Sequence, residues 1–394
     1  MNNFVNIELR HCFDYFYDNF SRDDGTYGLM PDKVPDIGRI SSIAANAFVF
    51  VAMAAGADFG FITKDEAEQI CIRALETHKK LEREQGFYYH FYFMNSGERA
   101  HRCELSIIDS ALFFAGALAA GGYFGGRTLE LARELYLECN WEYFYCPNRK
   151  MFRMSKYDSG FTGYWDVYAE QLIVYFLAAG SHKGKKIARQ AYDSFARLNG
   201  EYGGVNFIYT WFGSLFTHQF SHAFIDFKGY IDGDGVNWFD NSVKATLANR
   251  QFCMDNADKF RGYGPDGWGL TSCLTSEGYI GRIGTIPSGN GNSENLSNGT
   301  IAPCGAIGAV VFTPDESLSA LKHFYNLPGL VSKYGLKDAY NEDEGWFSDS
   351  YISIDKGISI AMLANYLKHT VWNSFCSLPE VIDAYNLLGF KKEN

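Results

Sequence analysis

Residues 41–55 read SSIAANAFVFVAMAA, and 63–84 read TKDEAEQICIRALETHKKLERE. The first stretch carries no charge, so it suits an element buried on every face. In the second, eleven Asp, Glu, Lys or Arg residues fall within 64–84 between apolar positions at helical spacing. Thr63-x-x-Glu66 opens it as a capping box, with the threonine hydroxyl and the glutamate satisfying backbone groups at a helix start. The pair therefore predicts a buried helix followed by an external one.

The same alternation recurs along the chain. Segment 104–121 holds only Glu104 and Asp109 as charges, whereas 127–142 holds six. Segments 165–180 and 185–199, 213–228 and 239–257, 300–311 and 314–325, and 354–368 and 378–388 repeat the contrast. Thr313-Pro314-Asp315-Glu316 and Ser377-x-x-Glu380 give two more capping boxes, the first with proline at the opening helical position. Six buried-then-exposed pairs, with no convincing run of alternating strand residues, fit two concentric layers of six helices. The predicted fold is all-α, an (α/α)6 barrel. An open solenoid would need repeats that share sequence, and these do not. The expected organisation is a lead-in helix and loop over 1–40 and one barrel domain over 41–394.

Composition narrows the function. A net charge of −11, without clustered Lys and Arg, argues against nucleic acid or an anionic membrane as partner. No signal-peptide pattern opens the chain, and we find no run of ~18 apolar residues long enough to span a bilayer. The expected location is the cytoplasm, with a trimmed export signal as the alternative. Nine cysteines, scattered from Cys12 to Cys376 without CxxC pairs, fit reduced thiols better than a disulfide frame or a zinc site. Aromatic residues make up 17% of the chain, which suits sugar stacking as well as core packing.

Charges on helices that otherwise avoid them mark candidate chemistry, because an ionised group on an inner helix is either paired or faces a wet cavity. Glu104, Asp109, Asp166, Glu170, Asp226 and Asp355 form that set. Glu170 stands out among the apolar neighbours of YAEQLIVYFLAAGS (168–181), with Asp166 one turn earlier on the same face. Glu104 and Asp109 are five residues apart, roughly 140° around a helix, which predicts that they do not face one ligand. His218, His222 and Asp226 recur every four residues in FTHQFSHAFIDF (216–227). That spacing could hold a metal. The zinc-protease pattern, however, needs Glu after the first His, where this chain has Gln219. We expect no metal and no cofactor, with these three side chains binding substrate hydroxyls or pairing with one another.

The run GYGPDGWGLTS (262–272) has the glycine content of a loop that brings backbone close to something else. It predicts a cleft wall, with Trp268 as a sugar-stacking platform and Asp266, Asn298 and Asp355 as hydroxyl partners. Packing of Trp268 beneath the loop is the competing reading.

LFTHQFSHAFIDFKG (215–229), the glycine-rich run, NGTIAPCGAIGAVVFTPDESL (298–318) and 333–372 together resemble the bacterial glucoamylase-like family of (α/α)6 glycoside hydrolases, which includes endo-β-1,2-glucanases. GLMPDK (28–33), 104–124 and 168–181 extend the likeness over nearly the whole chain. The resemblance implies hydrolysis of a glucan-type oligosaccharide, with Glu170 at the family's acid position. Glycoside hydrolysis needs one carboxylic acid to protonate the departing oxygen and a second carboxylate; Asp109 and Glu104 are the candidates for the second. The family has acids where this chain has Leu274, Asn298 and Ala364. Those losses leave open a carbohydrate-binding relative that does not cleave, and sugar epimerases share the barrel. Linkage and oligomeric state are not readable from the sequence.

Overall fold

The computed structural model describes residues 2–36 and 38–393. Helix α1 (Asn2–Asn19) precedes α2 (Ile43–Asp58) and α3 (Lys64–His78), the two segments whose contrast set the prediction. Then come α4 (Ile107–Phe124), α5 (Gly126–Leu137), α6 (Leu172–Gly180) and α7 (Lys185–Ser194). The second half holds α8 (Phe220–Phe224), α9 (Trp238–Asp255), α10 (Pro303–Ile307), α11 (Pro314–Tyr325), α12 (Ser353–Lys368), α13 (Thr370–Cys376) and α14 (Pro379–Leu388).

Apolar α2, α4, α6 and α12 form the interior. α2 packs between α4 and α12, α4 packs on α6, and the short α8 touches α12 and α6. α3, α5, α7 and α14 cover these from outside, and α1 lies against α2, α11 and α12. A Cβ on Gly116 of α4 would stand 2.3 Å from the Ala47 carbonyl oxygen, so glycine there sets how closely α4 approaches α2. Thr63 caps α3 as expected, accepting from the Glu66 amide at 3.2 Å. One buried ion pair ties the first helix to the last inner one: Lys356 Nζ lies 2.6 Å from Glu8 Oε1, and Tyr325 and the Leu336 amide also donate to Glu8.

By length and composition alone α4 would pass as a bilayer span, which corrects the reading that no such run exists. Thirteen of its residues are buried, covered by α2, α5, α6 and α13.

Several boundaries also differ from expectation. Segment 213–228 yields only a 3-10 turn over Leu215–His218 and the five residues of α8, and 300–311 yields only α10. The Ser377 box does not form: α14 starts at Pro379, Ser377 donates to the Ser374 carbonyl, and Glu380 pairs with Arg133 at 2.9 Å. Thr313 is the N-cap of α11 but makes no capping hydrogen bond. Short antiparallel strands, unseen in the sequence, stitch the loops. Ile40–Ser42, leading into α2, pairs with Phe91–Phe93; Leu105–Ser106, leading into α4, pairs with Met151–Tyr157; and Tyr351–Ile352, leading into α12, pairs with Lys33–Val34. Lone bridges Val167–Ala196 and Ile301–Tyr340 do the same before α6 and α10. The segments that lead into the inner helices are thereby each tied to a neighbouring loop.

Candidate active site

Glu170 occupies the turn before α6, not the helix itself, and Asp166 sits in the extended approach, so the two do not share a helical face. Both line a cleft of about 460 Å³ whose walls are Tyr164, Trp165, Tyr168, Trp211, Phe212 and Phe216. Met154 and Tyr164 come from the hairpin Met151–Tyr157 and Gly160–Tyr164. The surrounding protein withholds water from the Glu170 carboxyl and the nearby charge of Asp109 adds to the effect, pushing it up to about 7. A carboxyl at that level holds a proton near neutrality, as a general acid must.

Asp109 lies in the first turn of α4. Ser106, the N-cap, accepts from the Asp109 amide at 3.3 Å and donates its hydroxyl to Asp109 Oδ2 at 2.5 Å. Glu104 is outside the helix, in the extended segment before it, so the 140° argument does not apply. His90 instead brings the two together: its Nδ1 is 2.7 Å from Glu104 Oε1 and its Nε2 is 3.9 Å from Asp109 Oδ2. The His90 hydrogen bond comes first in holding Glu104 below its ordinary value, against the effect of burial, and a Tyr157 hydroxyl adds to it. Burial opposes charge on His90, but Asp109, Glu104 and Asp32 together outweigh it and raise the imidazole to about 9. Asp32, from the GLMPDK segment, is itself raised by burial while Ser42 hydrogen-bonds it. Sequence reading missed His90 and Asp32. The only available signal was a histidine amid the aromatic YYHFYF (88–93), which reads as core.

Asp355 opens α12 and is buried beside Asp338, which accepts from the Leu274 amide at 2.8 Å. Burial first, then the neighbouring Asp338 charge, drive Asp355 well up, and burial raises Asp338 too.

The other predicted residues lie elsewhere. His218 and His222 are buried between α8 and α9, with His222 Nε2 3.0 Å from the Ser242 hydroxyl; burial lowers both to about 3. They are neutral core side chains, not hydroxyl ligands in a cleft. Asp226 falls beyond α8 and lines a different hollow with Tyr230, Tyr385 and Lys392, so the four-residue spacing never becomes one face. Among the described residues, no three His, Cys, Asp or Glu side chains are grouped to hold a metal ion. Trp268 is fully buried, which overturns its role as a stacking platform. Its glycines admit backbone rather than sugar: at Gly269, with φ of 120°, a Cβ would lie 2.8 Å from the Ala302 oxygen and 2.9 Å from the Ala306 nitrogen of α10. Asp266 is half-buried in the same loop and away from the cleft walls. Asn298 shapes a turn, accepting from the Thr300 amide through its side chain and from Asn341 through its carbonyl. Ala364 is packed inside α12.

With this geometry in place, the comparisons are specific. The family described as "Putative glucoamylase" matches residues 162–379, more than half of the chain. An exo β-1,2-glucooligosaccharide sophorohydrolase of Parabacteroides distasonis is 24% identical over 94% of this chain, which spans 55% of that relative's length. A crystal structure described as a putative glucoamylase from Bacteroides uniformis superposes with a TM-score of 0.89 at 26% identity, covering 100% of this chain and 98% of its own. An endo-β-1,2-glucanase from Chitinophaga pinensis, in complex with sophorotriose and glucose, gives 0.88 at 23% identity, with 99% and 98% covered. The chain belongs to the glucoamylase-like family.

Proposed function

We propose that this chain is an (α/α)6-barrel glycoside hydrolase that cleaves glucan-type oligosaccharides, with β-1,2-linked glucose as the first substrate to try. The barrel reading draws support from the packing of α12 on α2, which joins the two ends of the helix series. The observation that carries the function is Glu170: a carboxyl raised to about 7 in a cleft walled by aromatic rings, with an acidic cluster beside it. Aromatic faces cover the apolar sides of pyranose rings, while the acids meet their hydroxyls.

In the proposed step Glu170 gives its proton to the glycosidic oxygen as the C1–O bond breaks. Asp109 takes a proton from the attacking water, whose oxygen bonds to C1. Glu104 is held by hydrogen bonds from His90 and Tyr157 that lower its basicity, whereas Asp109 is the acid whose charge acts on Glu170. A second assignment, with the base in the Asp338–Asp355 pair, is favoured by Asp355 Oδ2, which is buried without a hydrogen-bond partner.

The test is initial rates on β-1,2-gluco-oligosaccharides. Glu170→Gln should lower kcat by ~10²-fold or more, the scale of general-acid help, with KM little changed. Asp109→Asn should lower kcat comparably, whereas Asp355→Asn should mainly raise KM. The reverse result for the two aspartates moves the base to the buried pair. Undiminished turnover in Glu170→Gln removes Glu170 from the mechanism.

A further inference from the structure

His90 is fixed from every side by the elements that build the site. Its amide donates to the Glu104 carbonyl at 2.9 Å, and its carbonyl accepts from the amide of Ile43, the first residue of α2, at 3.0 Å. Its ring stacks on Phe91 with centroids 3.8 Å apart and planes 14° apart. With backbone and ring plane set, Nδ1 points at Glu104 and Nε2 faces Asp109, from the segment before α4 and from α4 itself. Asp32 approaches from the loop after α1, with Lys33 next to it. Nδ1 is within hydrogen-bond distance of Glu104, and Nε2, 3.9 Å from Asp109, is beyond hydrogen-bond length but close enough for attraction between charges, so only the imidazolium is stabilised from both sides.

We propose that His90 is a positioning residue, an imidazolium that lies between Glu104 and Asp109, keeps the Asp109 carboxyl aimed for its task, and ties the starts of α2 and α4 into one frame. The idea rests on the hydrolase reading for its effect on turnover, but not for its charge state. The consequence for the acid runs through Asp109. The charge of Asp109 adds to burial in raising Glu170 to about 7, so the group that fixes where Asp109 stands also fixes how strongly it acts on the acid.

Nitrogen-15 NMR of histidine-labelled full-length protein, with and without Glu104→Gln, reads the charge directly and needs no activity. The expected spectrum has one histidine still doubly protonated at neutral pH, titrating near 9 and moving down in Glu104→Gln. A His90 that is neutral at neutral pH overturns the proposal, whatever the enzyme does. In kinetics, His90→Gln should lower kcat about 10- to 100-fold, leave KM within about threefold, and move the acid limb of the kcat/KM profile up by about one pH unit. That shift follows because removing a positive charge makes nearby carboxylates ionise at higher pH. A merely structural histidine would lower kcat and stability together with the limbs unmoved, and that result also overturns the proposal. If the wild-type protein hydrolyses no glucan while His90 titrates as expected, the hydrolase reading fails and the imidazolium stands.

Discussion

His90 and the pair His218 and His222 are the same side chain in opposite settings. His90 stands at the mouth of the inner helices with three carboxylates around it and is raised to about 9; the other two lie within the core, with no carboxylate to offset burial, and are lowered to about 3. Burial acts downward on all three, so nearby negative charge alone decides the direction. The same contrast separates the tryptophans: Trp165 and Trp211 line the cleft, whereas Trp268 is sealed beneath the glycine-rich loop. Polar and aromatic residues line open space where the strand-stitched loops leave room, and fill space where glycine lets backbone meet backbone.

The largest test of that division is Trp268→Ala. As core, Trp268 should cost about 3–5 kcal/mol of stability in denaturant unfolding, with oligosaccharide affinity retained. A loss confined to affinity would erase the contrast between the two regions.

The histidines give a second test, in pH. His222 has a folded-state value below the usual 6.5, so the unfolded chain binds the extra proton first. Its contribution is complete above about 6.5 and drains away as pH falls toward 3. His90 is raised, so its contribution is complete below about 6.5 and drains away as pH climbs through 9. Melts across pH should show His222→Phe flattening the acid side and His90→Gln flattening the alkaline side. Identical pH profiles for both variants would break the comparison.

The smallest expected effect sharpens it. Phe212 lies on the cleft rim with 39% of its surface exposed, so Phe212→Ala should weaken oligosaccharide binding by about 1–2 kcal/mol and leave the melting temperature nearly unchanged. Calorimetric titration beside a melt checks it, and unchanged affinity would take the aromatic rim out of the substrate's path.

Long helices were legible because their periods and caps are local. The charge-free 41–55 appears as α2 and the start of the capped 64–84 as α3, which ends at His78, with Arg83–Glu84 in a short strand instead. α10 was overread because glycine, proline and small residues look buried whether or not they are helical, and α8 because the apolar residues of 213–228 are buried on both sides of the break at Gln219. Glu170 was legible as an acid among apolar residues, even though its helix starts two positions later. His90 was not, because its meaning lies in Glu104, Asp109 and Asp32, which neither spacing nor periodicity joins to it. Trp268 and the His218–His222 pair were misplaced for the converse reason: a glycine-rich loop and a four-residue repeat look alike whether a ligand or the protein's own backbone fills the space beside them.

The Glu8–Lys356 ion pair bears on how the molecule is made. Its partners are 348 residues apart in sequence, so on the ribosome α1 waits for those 348 residues before its buried carboxylate finds a counter-charge. Until then α2 lacks α12, and an apolar face as wide as a helix stands open to other nascent chains. Contacts of such long range slow folding and prolong that exposure. Closure of the interior therefore waits for α12, and the stretch most in need of shelter until then is α2.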